Sequence, residues 1–149
     1  MSMKAPFVYD DVSSIIHNAD LRHPTELGRF FSRHSTSMKF DQRPVAGLVT
    51  LANYQVCGLA VAGFRLVNLL IHWATAIVLC EFIILFGRVT NLGAVRVAAC
   101  GVAALWALHP LNSITVIFIS ARSESMMSFF YVLTLFCFLK SFEAERLWP

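Results

Sequence analysis

Two adjacent carboxylates, Asp10 and Asp11, stand in the aromatic setting Phe7-Val8-Tyr9-Asp10-Asp11. In an extended or loop backbone successive side chains diverge, so one carboxylate can face a substrate while the other holds a loop or an ion. A carboxylate beside a membrane can serve as general base, taking the proton of an acceptor hydroxyl as its oxygen attacks a sugar carbon. A solvated loop or a helix cap uses the same two residues without any chemistry. A second set, Arg65, Asn68 and His72, is spaced i, i+3 and i+7 and forms one polar stripe on a helix. Guanidinium forks suit phosphate oxygens, so this stripe can bind a phosphate or sugar near the interface. The alternative is that Arg65 snorkels to headgroups while Asn68 and His72 bond neighbouring helices. His109-Pro110 and Arg122-Ser123-Glu124 are further candidate clusters, each also explained as a structural turn.

Other chemistries find no residues. The four cysteines (Cys57, Cys80, Cys100, Cys137) lie in apolar segments without C-x-x-C spacing or a histidine at metal-ligand spacing, and read as small buried apolar residues. No metal site, glycine-rich phosphate loop, nucleophile elbow or nicotinamide fingerprint is present. The formal charge is only +3, with Arg22, Arg29, Arg33, Lys39 and Arg43 scattered, which disfavours a nucleic-acid surface.

The elements that must position the candidates are membrane helices. Of 149 residues 57% are hydrophobic and 14% charged, and the mean hydropathy of +0.65 lies outside the range of soluble domains. Leu66 to Phe86 is almost unbroken apolar sequence, and about 21 residues at ~1.5 Å each match the ~30 Å hydrocarbon thickness of a bilayer. The reading is an all-α integral membrane protein with three spans, at about 63–86, 94–109 and 124–142, plus interfacial helices. Residues 1–43 form an extracytoplasmic loop carrying the acidic pair, with a short helix starting at Pro24. Residues 44–149 form the membrane region. Arg43-Pro44 starts a helix over 44–61, where Asn53, Tyr54 and Gln55 favour a surface position; a fourth span is the alternative. Pro110 interrupts the second span, and Leu111 to Ser120 is too short to cross. Glu81 falls on the face opposite His72, as a helix-packing or assembly residue.

Three spans set residues 1–62 and 110–124 on one side, opposite Arg88, Arg96, Lys140 and Arg146. The charge rule leans weakly toward an outside amino-terminal segment. No signal peptide is visible behind Met1, a tension removed if another span precedes it.

Taken in order, Phe7 to Asp11 with Ile16 and Asn18, Arg43-Pro44, Asn53-Tyr54, the run from Gly63-Phe64-Arg65 to His72, Ala107-Leu108-His109-Pro110-Leu111 and Ala121-Arg122-Ser123-Glu124 carry a family resemblance. They resemble the amino-terminal membrane region of the transmembrane and tetratricopeptide-repeat glycosyltransferases, members of the GT-C superfamily that include eukaryotic protein O-mannosyltransferases and bacterial relatives. The resemblance implies a partial GT-C fold and an enzyme that takes a mannose-like sugar from a polyprenyl- or dolichyl-phosphate donor in the bilayer and passes it to an acceptor such as a protein. It implies no cofactor beyond that lipid-linked donor. The family's acidic catalytic motif maps onto Asp10 and Asp11, with Asp10 the preferred base; Arg43, His72, His109, Arg122 and Glu124 match recurrent polar positions of the family and, with Arg65 from the polar stripe, are the expected donor-binding residues. Arg65 departs from the histidine usual after the phenylalanine, and Asn112-Ser113 from a commoner His-Thr pair. The family's first span and its later spans and repeats are missing here, so the expectation is a fragment or truncated member, inactive alone. The short link from Lys39 to Arg43 points to a bacterial inner membrane, with the endoplasmic reticulum membrane expected for a eukaryotic source. The competing expectation is a non-catalytic membrane subunit or degenerate paralogue.

Overall fold

A computed structural model describes residues 11–17, 21, 43–93 and 95–147. Asp10 and the short helix expected from Pro24 lie outside the described residues. All regular structure among the described residues is helical, as expected for an all-α membrane protein. A single π-turn, Val12–Ile16, is followed by α1 (Pro44–Cys57), α2 (Val61–Val89), α3 (Arg96–Ala107), α4 (Ser113–Ile117) and α5 (Arg122–Leu147). Two helical runs, Val61–Val89 and Ile119–Glu143, are long and apolar enough to cross a bilayer. A third crossing results if Arg96–Ala107 and Pro110–Ile117, bent by 52° at their break, make one span.

The chain divides into two compact units, Met1–Asn68 with Thr115–Ser123, and Leu69–Ile114 with Glu124–Pro149. In the first, proline at the first position of α1 needs no backbone donor, and Gly47 N–H closes the opening turn onto Arg43 O at 3.0 Å. The helix stops at Gly58, whose φ of 58° is open to glycine at little cost. Fourteen residues span ~21 Å, short of a bilayer's hydrocarbon core. The apolar core of this unit is small: Ile15, Leu21, Leu51, Phe64 and Ile119, with Tyr54 and Val61 against it.

In the second unit α2 ends in a Schellman motif. Leu92 N–H reaches Gly87 O at 2.9 Å, Asn91 N–H reaches Arg88 O at 3.2 Å, and Asn91 takes the left-handed conformation with φ 56°. Helix α3 then returns with Ala99 and Ala103 buried one turn apart, small residues that permit close helix approach. Hydroxyls on the helices back-bond to carbonyls one turn earlier, Thr75 to Ile71 O at 2.9 Å and Thr134 to Phe130 O at 2.7 Å, which removes polar groups from contact with lipid. The cysteines depart from the expected burial: Cys100 and Cys137 are exposed, and Cys57 and Cys80 only half-buried. In a bilayer an apolar side chain loses nothing by facing outward into lipid, so the burial rule of soluble domains does not hold it inside.

A Cβ built on Gly87 would lie 2.2 Å from Val95 Cγ2. Gly87→Ala is expected to destabilise the protein by about 1–3 kcal/mol, measured by unfolding in mixed dodecyl sulfate micelles. Combining it with Val95→Ala should recover most of the loss; an unchanged loss in the double variant would reject this contact as the cause.

Candidate functional site

The first unit contains a buried polar cluster built around Arg122, the first residue of α5 and only 2% exposed. Its guanidinium is held on every side. Nε donates to Asn68 Oδ1 at 2.8 Å, Nη1 to Thr50 Oγ1 at 3.2 Å, and Nη2 to Asn53 Oδ1 at 3.1 Å and to Phe64 O at 3.0 Å. The Phe64 ring lies under the charge with its centroid 5.4 Å from Arg122 Cζ, a cation–π contact. Two helices thus deliver acceptors to one cation on a third. On α1, Thr50 and Asn53 fall i, i+3 on its buried face, and on α2, Phe64 and Asn68 fall i, i+4.

Asn68 also works in the other direction. Its Nδ2 donates to Thr115 O at 3.3 Å, in the short helix α4, and to Phe118 O at 3.2 Å, just after it. Arg65, 4% exposed, donates Nε to Ile117 O at 3.3 Å. The polar edge of α2 therefore satisfies the carbonyls of a segment that cannot satisfy its own, as apolar surroundings require. Among the described residues no buried side-chain nitrogen or oxygen lacks a partner.

Asp11 is equally buried, at 2% exposure, and its Oδ1 accepts the Ser120 N–H at 2.8 Å. Ser120 lies in the 3₁₀ turn Ile119–Ala121 that runs straight into α5, so the carboxylate sits at the positive end of that helix dipole. Its charge also acts favourably on Arg122. Of the two roles open to the adjacent carboxylates, Asp11 has the loop-holding one. Arg43 is exposed and hydrogen-bonds Ser123 Oγ through Nη1, beside the start of α5.

The remaining expected site residues belong to the second unit. His72 is buried, stacks on Trp106 with centroids 4.8 Å apart, and approaches Ala107 O through Nε2 at 3.0 Å. A carbonyl only accepts, so Nε2 carries the proton. His109 is exposed, in extended conformation before Pro110, and its Nδ1 accepts Leu111 N–H at 3.3 Å. Glu124 is exposed in the first turn of α5. The first unit therefore gathers Asp11, Arg43, Arg65 and Arg122, while His72, His109 and Glu124 lie elsewhere in the chain's packing. Thr50, Asn53 and Ser120 were not expected at a site. Asn53 carried a signal, an amide in an otherwise apolar run; Thr50 and Ser120 carried none.

Among the described residues no group of three or more metal-ligating side chains converges. The site is thus a polar cluster at the end of membrane helices, rich in arginine and anchored to Asp11.

The chain is 29% identical over 161 residues to the human protein O-mannosyl-transferase TMTC4, aligning 97% of itself with 22% of that protein. It is 27% identical over 147 residues to mouse TMTC3, covering 94% of the chain and 15% of the relative. It is 32% identical over 148 residues to Drosophila melanogaster Tmtc2, covering 93% and 15%. These matches bear out, over nearly the whole chain, the family resemblance carried by its motifs. The chain spans about a fifth or less of the length of these curated relatives. No family model matches it, and no solved structure does.

Arg122→Ala leaves Asn53, Asn68 and Thr50 turned toward an empty centre and is expected to cost about 3–5 kcal/mol in dodecyl sulfate unfolding. Asp11→Asn keeps an acceptor for Ser120 but removes the charge, and its cost should be smaller and non-additive with Arg122→Ala. Strict additivity of the two would show that Asp11 and Arg122 do not act on one another.

Proposed function

We propose that this chain forms the acidic-loop part of the membrane region of a GT-C-type glycosyltransferase. It moves a mannose-like sugar from a polyprenyl- or dolichyl-phosphate carrier to a hydroxyl acceptor on a protein. The observation that carries the reading is the bond from Ser120 N–H to Asp11, which anchors that carboxylate beside Arg122 at the head of α5. With Asp11 committed to that bond, Asp10 is the carboxylate left to act on substrate. In a single inverting displacement Asp10 takes the acceptor hydroxyl proton as its oxygen bonds to the sugar's anomeric carbon. The bond from that carbon to the carrier phosphate breaks, and its electron pair leaves with the lipid phosphate. Cations stabilise the charge that builds on that leaving group.

The arginines divide by how far their donors are already spent. Arg122 has four acceptors and acts as a positioning residue. Arg43, exposed beside Ser123, is the better phosphate ligand, and Arg65, buried on α2, is the other arginine of the proposed set. His72, His109 and Glu124 of the second unit are proposed donor-binding residues from the family resemblance alone. The relatives named above are animal proteins. The lean toward a bacterial inner membrane finds no support among them, and the endoplasmic reticulum membrane becomes the proposed location. The full activity requires more chain than these residues, in keeping with a fragment or truncated member.

A non-catalytic membrane subunit is favoured by one observation, that the cluster around Arg122 is satisfied without any ligand. Transfer of tritiated mannose from dolichyl phosphate mannose, measured in membranes carrying the protein, separates the two. The transferase reading expects transfer by the whole enzyme of which this chain forms part, and a loss of about 10²-fold or more in its Asp10→Asn variant, with normal abundance. Undiminished transfer by Asp10→Asn would remove the base; absence of transfer by the whole unaltered enzyme would favour the subunit.

A further inference from the structure

Helix α2 carries one carboxylate, Glu81, and presents it outward. Leu70, Trp73 and Ile77 are 60%, 65% and 59% exposed and follow one another at i, i+3 and i+7, with exposed Glu81 continuing the same line at i+11. His72 and Thr75, from the intervening turns, are buried. The outward face of the longest span is thus an apolar stripe with an acid at one end.

The depth of that acid follows from helix geometry. Arg65 and Arg88 lie roughly 34 Å apart along the axis, close to the hydrocarbon thickness, which sets Arg88 at one boundary and Glu81 about 10 Å inside it. A glutamate is too short to reach back over that distance. Helical side chains also lean toward the amino terminus, which carries the Glu81 carboxyl away from Arg88 and further into the membrane. Lipid tails offer neither a donor nor a counter-charge there.

We propose that the Leu70–Trp73–Ile77–Glu81 face is a docking surface for a further transmembrane helix carrying a lysine or arginine at the depth of Glu81. A helix is the form of partner that enters lipid with its own backbone satisfied, and a basic side chain supplies both the donor and the charge that the acid requires. A second copy using this same face would bring glutamate to glutamate. The proposal is independent of the transferase reading.

The test uses the chain labelled with a fluorescence donor at its amino terminus in phosphatidylcholine vesicles. Acceptor-labelled synthetic leucine-alanine helices of about 24 residues carry lysine, leucine or glutamate at the matching depth. The lysine peptide is expected to associate about tenfold more tightly than the leucine peptide, and the glutamate peptide no better than leucine. Glu81→Leu, a substitution that favours membrane insertion, should abolish the lysine preference while circular dichroism retains the helix content. Equal binding of lysine and leucine peptides would overturn the proposal, as would a lysine preference that survives Glu81→Leu. Energy transfer between copies of the chain that the lysine peptide cannot displace would assign the face to self-association instead.

Discussion

The guanidinium of Arg122 is the constraint on which the first unit depends. A cation removed from water is tolerated only when its donors are met, and here α1 supplies two side-chain acceptors, α2 a side chain and a carbonyl, and Phe64 a ring face. Each acceptor fixes the rotation of the helix that bears it. Asn68 passes the constraint on, since the amide whose oxygen receives Arg122 uses its nitrogen to hold Thr115 and Phe118. Asp11 closes the arrangement from the loop side by occupying the amide of Ser120.

Membrane surroundings explain why polar groups hold this place. Lipid tails are as apolar as leucine, so helices gain little by pressing apolar faces together, and hydrogen bonds and close packing carry association. The composition of the interior follows. The largest fully buried side chains include Arg122, Asn68, Thr75 and Asp11 beside Phe64 and Leu21, while Trp73, Leu105 and Leu108 stand outward. A soluble domain of this size would invert that distribution.

How much of this was legible in the sequence depends on the range of the interaction. The apolar length from Leu66 to Phe86 and the proline at position 44 are local signals, and helices Val61–Val89 and Pro44–Cys57 form around them. Periodicity also marked Arg65, Asn68 and His72 as a face turned from lipid, and all three are buried. Their partners were not readable. Ile117, Phe118 and Ala107 offer backbone carbonyls 35 to 52 residues away, and a carbonyl has no sequence signature. Asn53 was visible as an obstacle to a membrane span, whereas its oxygen is an acceptor for Arg122. Adjacent carboxylates implied one facing a substrate and one holding a loop; only the fold assigns the second part to Asp11.

The junction of α2 and α3 bears on how the protein enters its membrane. Helix α3, with 12 residues, covers ~18 Å and is too short to partition across the bilayer by itself. The Schellman turn at Asn91 and the contact of Gly87 with Val95 bind its start to the end of a helix that is long enough. A helix as short as α3 crosses a bilayer only together with a further segment, and the turn at Asn91 ties its start to a limb that is long enough by itself.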